Sequence, residues 1–294
     1  MIKPAAIPAV TRQPAFSMRA RDRLTIAGLT CVAAFFAVGA LFPVFWMVTT
    51  SLKPSGDVFL VPPRWIPNPP VWRNYPDALA FMDAAVVFRN SFLVTGLSVV
   101  GTTLASAVVA FPFARLRAPG SGVLFVCVLS TLLLPSQVTL IPEFLLFKYL
   151  GWVDTLKPLW VPFFFGTPYA IFLLRQFFRT IPAEMDEAAI IDGCSMLDLF
   201  WRIILPLSVP ALGVVAIQQF IASWEWFLRP LIYLNSSQNY TVAIALAKFR
   251  VAFGGTPWHL LMAGSMVALL PTVTLFFVAQ RFFVQGIVVS GVKG

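Results

Sequence analysis

Residues 25–48 read TIAGLTCVAAFFAVGALFPVFWMV, 24 residues without one charged side chain. About 20 apolar residues in a helix cross the ~30 Å hydrocarbon of a bilayer, so this run is long enough to span. The stretch before it is basic, with Lys3, Arg12, Arg19, Arg21 and Arg23 against Asp22. A cleavable signal also begins with a basic stretch, but its apolar core is about 7–15 residues and ends at small residues. Here the run is longer and ends Phe45-Trp46-Met47-Val48-Thr49-Thr50. It reads as a retained first span, with residues 1–24 a cytoplasmic tail.

Five further apolar runs follow, at 91–113, 123–141, 159–174, 211–234 and 260–283. Pro162, Gly166 and Pro168 interrupt the fourth, which lipid tolerates where neighbours satisfy the freed backbone groups. Composition agrees: 59% of the 294 residues are hydrophobic, only 11% are charged, and mean hydropathy is +0.84. A soluble domain carries about 25% charged residues. The expected fold class is therefore all-α, a polytopic membrane protein with six transmembrane helices over residues 25–283 and a cytoplasmic tail at 284–294. Both termini then face the cytoplasm across a cell membrane.

The net charge of +9 fits this topology. Basic residues gather at the ends of apolar runs, above all in the N-terminal tail and at Arg115 and Arg117. They orient the chain by the positive-inside effect and mark no nucleic-acid partner. Between Thr49 and Arg89 the run Pro62-Pro63-Arg64-Trp65-Ile66-Pro67-Asn68-Pro69-Pro70 excludes a long helix. That loop reads as an extended outer cap, with Phe81 to Phe88 a candidate interfacial helix. Cys31, Cys127 and Cys194 are dispersed, and His259 has no acidic or thiol neighbours, so no disulfide framework or metal site is expected.

The stretch 181–206, between the fourth and fifth spans, is too polar to enter lipid. Pro182 suits a first helical turn, and Glu184, Asp186 and Glu187 complement the helix dipole there. Gly193 fits a helix stop, and Ser195 with Asp198 fits a capping box. Leu197, Leu199, Phe200, Ile203 and Ile204 form one amphipathic face, and Pro206 is expected to end the second helix. Such a helix–bend–helix suits docking on a soluble partner, or lying on the membrane surface.

Glu187-Ala188-Ala189, Asp192-Gly193, Ile203, Leu205-Pro206 and Pro210 resemble the EAA loop of binding-protein-dependent ABC importer permeases. Ser51-Leu52-Lys53, Asn90-Ser91, Phe113-Ala114-Arg115-Leu116, Gln137 to Pro142, Trp224 with Phe227-Leu228, and Gly291-Val292-Lys293-Gly294 extend the resemblance over nearly the whole chain. They narrow it to carbohydrate permeases similar to the smaller channel subunit of the maltose system. The resemblance implies half of a translocation channel for a sugar or polyol, with Glu187, Ala188, Ala189, Asp192, Gly193 and Pro206 coupling it to an ATPase. The implied partners are a second homologous permease, two ATP-binding subunits and an extracytoplasmic solute-binding protein. No cofactor is expected on this chain, since ATP and magnesium would sit on the partner. Two positions depart from the pattern: Cys194 replaces a small residue, and Glu225 stands where the family has Asn.

For the solute path, span five offers Gln218, Gln219, Ser223, Trp224 and Glu225. If the helix continues, Gln218, Ala222, Glu225 and Arg229 share a face. That face either lines the channel, with the glutamines bonding hydroxyls, or carries a structural Glu225–Arg229 bridge. Trp224 and Trp226 either stack on sugar rings or belong to an interfacial belt. There is no Walker-type phosphate loop, no His-Glu-x-x-His and no Gly-x-Ser-x-Gly, so neither a built-in ATPase nor a membrane enzyme is expected. An ion-coupled transporter would require a paired repeat, broken helices and acidic residues at mid-depth, none of which is clear in the sequence. A permease for another solute, such as glycerol phosphate, remains open.

Overall fold

The computed structural model describes residues 15–250 and 255–291, and among these it is all-α, without a strand. Its helices are α1 (Ala15–Ser51), α2 (Asn74–Phe81), α3 (Ala84–Arg115), α4 (Ser121–Ser130), α5 (Ser136–Tyr149), α6 (Lys157–Trp160) and α7 (Pro168–Phe178). After these come α8 (Ala183–Ile191), α9 (Met196–Asp198), α10 (Leu205–Leu207), α11 (Val209–Trp224), α12 (Leu228–Tyr233), α13 (Val242–Lys248) and α14 (Trp258–Gly291). Stretches 25–51 of α1, 84–115 of α3 and 258–280 of α14 are each long and apolar enough to cross a bilayer. The other expected spans are broken: the third near Pro135, the fourth at Gly166, and the fifth between Trp224 and Leu228.

The third span bends by 98° between Leu133 and Ser136, where Pro135 caps α5 from outside the helix. The fourth divides at Gly166, whose φ of +79° belongs to the left-handed region. A break at membrane depth leaves backbone groups that lipid cannot satisfy. α3 supplies part of what is missing: Ser98 Oγ donates to the Leu159 carbonyl (3.2 Å), and the Thr167 amide donates to Ser106 Oγ (3.1 Å).

α3 is the central helix. Its buried face is built from small and polar residues (Asn90, Ser91, Thr95, Ser98, Gly101, Thr102, Ser106, Ala107, Ala110), which let neighbouring backbones approach closely. Gly101 shows the constraint, since a Cβ there would lie 2.5 Å from the Phe164 ring. α1 is exposed along most of its length and contacts chiefly α14. At its end Asn74 Nδ2 donates to the carbonyls of Ser51 (2.8 Å) and Lys53 (2.9 Å), fixing the outer loop against the span.

Three expectations are corrected here. The short outer helix is Asn74–Phe81 and not 81–88; Asp83, left-handed at φ 50°, separates it from α3. Pro206 does not end the helix begun at Met196. A π-helical stretch, Leu199–Ile204, precedes it and α10 carries the helix through Leu207. The wider turn accommodates a ring that has no N–H to give and would crowd the carbonyl four residues back. The turn to α11, 74°, falls instead at Ser208. Finally, α11 stops at Trp224 and the chain is non-helical until Leu228.

Candidate functional site

The stretch 181–206 folds into the anticipated helix–bend–helix. α8 ends in a Schellman arrangement: Gly193 N donates to Ile190 O (3.0 Å) and Cys194 N to Ala189 O (2.9 Å). Gly193 has φ +82° with nothing within 4 Å of a virtual Cβ, so the demand for glycine is conformational, not steric. The Asp198 amide donates to Ser195 Oγ (3.2 Å), and Ser195 Oγ donates to Asp198 Oδ2 (2.6 Å). That bond, with Arg202 beside it, holds the Asp198 carboxyl below the usual range.

One side of this module faces inward. Ala189, Leu199, Phe200 and Ile204 are buried in a cluster with Phe111 of α3 and Phe178 of α7. The module is also bolted to α3 by an ion pair that spacing alone did not indicate. Arg115 Nε lies 3.0 Å from Asp186 Oδ2, and Arg115 donates to the Ile181 carbonyl (3.0 Å). Burial pushes the Asp186 carboxyl up; Arg115 opposes the shift and Glu187 adds to it. The other side is uncovered: Glu187, Ala188 and Asp192 are exposed, beside Ile191 at 84% and Leu197 at 72%. Among the described residues Glu187 has no ion-pair partner. An acid beside exposed apolar side chains, on a rigid frame outside the apolar spans, has the make-up of a protein-docking surface.

The polar residues of span five separate. Gln218 reaches Tyr169 Oη of α7 (3.3 Å), while Gln219 donates to Ser223 Oγ within α11 (2.7 Å). Trp224 is buried; its Nε1 donates to the Ala268 carbonyl of α14 (3.1 Å) and its ring lies against Phe92 and Phe220. That packing, rather than an open ring face, accounts for the indole. Gln218, Ile221, Ala222 and Glu225 share one uncovered face.

The Glu225–Arg229 bridge does not form. The helix breaks between them, and Arg229 Nη2 lies 3.0 Å from Glu143 Oε2 of α5, with its guanidinium over Trp226. Glu143 was not singled out from the sequence. Its position four residues before Phe147 in an apolar stretch carried no hint of a partner 86 residues away. Trp224 and Glu225 instead border a cavity of about 410 Å³ between α1, α13 and α14. Among the described residues no group of His, Cys, Asp and Glu could hold a metal ion.

This architecture has known counterparts. Residues 99–289 match the family described as "Binding-protein-dependent transport system inner membrane component". The chain is 34% identical over 259 residues to the arabinooligosaccharides transport system permease protein AraQ of Bacillus subtilis (strain 168), covering 86% of this chain and 91% of that one. It is 31% identical over 268 residues to the trehalose/maltose transport system permease protein MalG of Thermococcus litoralis, covering 89% and 95%. In fold it resembles a chain of a bacterial ABC transporter involved in import of the acidic polysaccharide alginate, with TM-score 0.78 at 20% identity, covering 94% of this chain and all of that one. The chain belongs to the binding-protein-dependent transport system inner membrane components, the permease subunits of ATP-binding-cassette importers.

Proposed function

We propose that this chain forms half of the translocation channel of an ATP-driven carbohydrate importer in the cell membrane, with both termini cytoplasmic. It pairs with a second homologous permease, receives solute from an extracytoplasmic binding protein, and is driven by two ATP-binding subunits that hold the ATP and magnesium. The chain itself is non-catalytic. The observation that carries this reading is the rigid helix–bend–helix at 183–207, held to α3 by Arg115–Asp186 and presenting an unpaired Glu187 outward. Closure of the ATPases against that surface would move α3 and α11 together, because both pack on the module's buried side. AraQ and MalG, named for oligosaccharide and disaccharide transport, support a sugar or polyol as the solute.

The assignment of Glu187, Ala188, Ala189, Asp192, Gly193 and Pro206 to coupling is tested by pull-down of the ATP-binding subunit and by solute-stimulated ATPase assays in nanodiscs. Gly193→Val forces a β-branched residue into a left-handed conformation, at a cost of about 1–3 kcal/mol. Glu187→Arg reverses the charge offered to the partner. Both variants are expected to insert normally and to lose either assembly or stimulated hydrolysis. Wild-type behaviour of both would sink the coupling assignment.

A further inference from the structure

The cavity of about 410 Å³ is walled by apolar residues of α1 and α13, among them Met47 and Leu246, with Ser265 and Thr272 on α14. That volume lies within the range of small-molecule sites, about 300–1,000 Å³. Among the described residues Glu225 is the one charged residue in the lining. Arg229, the arginine that sequence spacing brings near its carboxylate, is held by Glu143 on α5. Among the described residues no other cation pairs with Glu225. An unpaired ionisable group on a membrane segment faces a bundle interior or an aqueous cavity. In a cleft with low-dielectric walls, a single charge biases which ions enter.

We infer that Glu225 is a specificity-determining residue of the solute path: it admits neutral or amine-bearing polyhydroxylated solutes to this cavity and rejects acidic ones. The carboxylate accepts hydrogen bonds from hydroxyl or ammonium groups, and Ser265 and Thr272, seven residues apart on one face of α14, add hydroxyl partners. An acidic sugar meets repulsion there, with no cation among the described residues of this chain to offset it. This inference rests on the channel reading given above.

The test reads the charge selectivity of the cavity directly. Cys31, Cys127 and Cys194 are replaced by serine, a cysteine is placed at Ser265 or, independently, at Thr272, and the chain is assembled with its partner subunits. Modification rates are measured with a trimethylammonium-bearing and a sulfonate-bearing methanethiosulfonate, each normalised to its rate with a free thiol. With Glu225 present the cationic reagent is expected to be favoured by about tenfold. Glu225→Gln should bring the ratio near one, and Glu225→Lys should reverse it. A ratio indifferent to residue 225, or no labelling of either cysteine by either reagent in an assembled complex, overturns the inference. Carbohydrate uptake by the same complex separates the two readings. Normal uptake with an indifferent ratio removes Glu225 alone; a responsive ratio without uptake of any carbohydrate removes the transport reading.

Discussion

At the scale of single residues, Asp154 shows how much one side chain holds. It sits in a left-handed turn (φ 60°) in the loop before α6, and its Oδ1 accepts from the amides of Asn235 (2.9 Å) and Ser236 (2.8 Å). Ser236 Oγ donates to Oδ2, and Asn239 Nδ2 donates to the Asp154 carbonyl (2.6 Å). The donors to the carboxylate, led by the Ser236 hydroxyl and joined by Asn239 Nδ2 to Oδ1 (3.2 Å), hold the carboxyl well below the usual carboxylate range. The folded protein thus keeps Asp154 ionised where the unfolded chain binds a proton. Its contribution is complete above the ordinary Asp value of about 3.9 and drains away as pH falls toward the folded value. Asp154→Asn is expected to cost about 1–3 kcal/mol at neutral pH. In thermal unfolding of the purified protein, the gap between wild type and variant should shrink as pH falls below about 4; a gap constant from pH 7 to pH 3 would contradict this account.

At the scale of elements, sequence reading succeeded where local chemistry decides and failed where a distant partner does. Gly193, Ser195 and Asp198 were legible because a left-handed stop and a capping box are set by a few adjacent residues. The three long apolar spans were legible because lipid imposes length and composition. The ends of span five were not. No Gly or Pro marks a break at Trp224, Glu225 and Trp226, and nothing local reveals that Arg229 will leave its own helix face for Glu143 on α5. The resulting ion pair has a direct signature. A double-mutant cycle on Glu143 and Arg229 should give a coupling of about 0.5–3 kcal/mol, while the cycle on Glu225 and Arg229 should close to within about 0.5 kcal/mol. Strong coupling in the second cycle would restore the helix through residue 225 and reopen the bridge.

At the scale of the whole molecule, the contacts sort the loops into two sets, and this sorting reproduces the alternation expected of six spans. On one face Asn90 Nδ2 donates to the carbonyls of Gln238 (2.8 Å) and Tyr240 (3.0 Å), and Asp154 gathers Asn235 and Ser236. These contacts join the loops after spans one, three and five. On the opposite face Arg115 reaches Asp186 and Ile181, and Arg175 Nε donates to the Phe113 carbonyl (3.0 Å). These join the loops after spans two and four. A six-span chain with its first basic tail inside places the first set outside and the second in the cytoplasm. Single cysteines at Ser55, Asn68 and Asn235, in a background without Cys31, Cys127 and Cys194, should therefore react with a membrane-impermeant thiol reagent on intact cells. Cysteines at Ala118 and Glu184 should react only after permeabilisation. Protection of Asn235 together with labelling at Asn68 would break the first set and with it the count of spans between them. Labelling of Ala118 from outside, with Asn68 protected, would keep the fold, invert the molecule in the membrane, and put the Glu187 surface out of reach of any cytoplasmic ATPase.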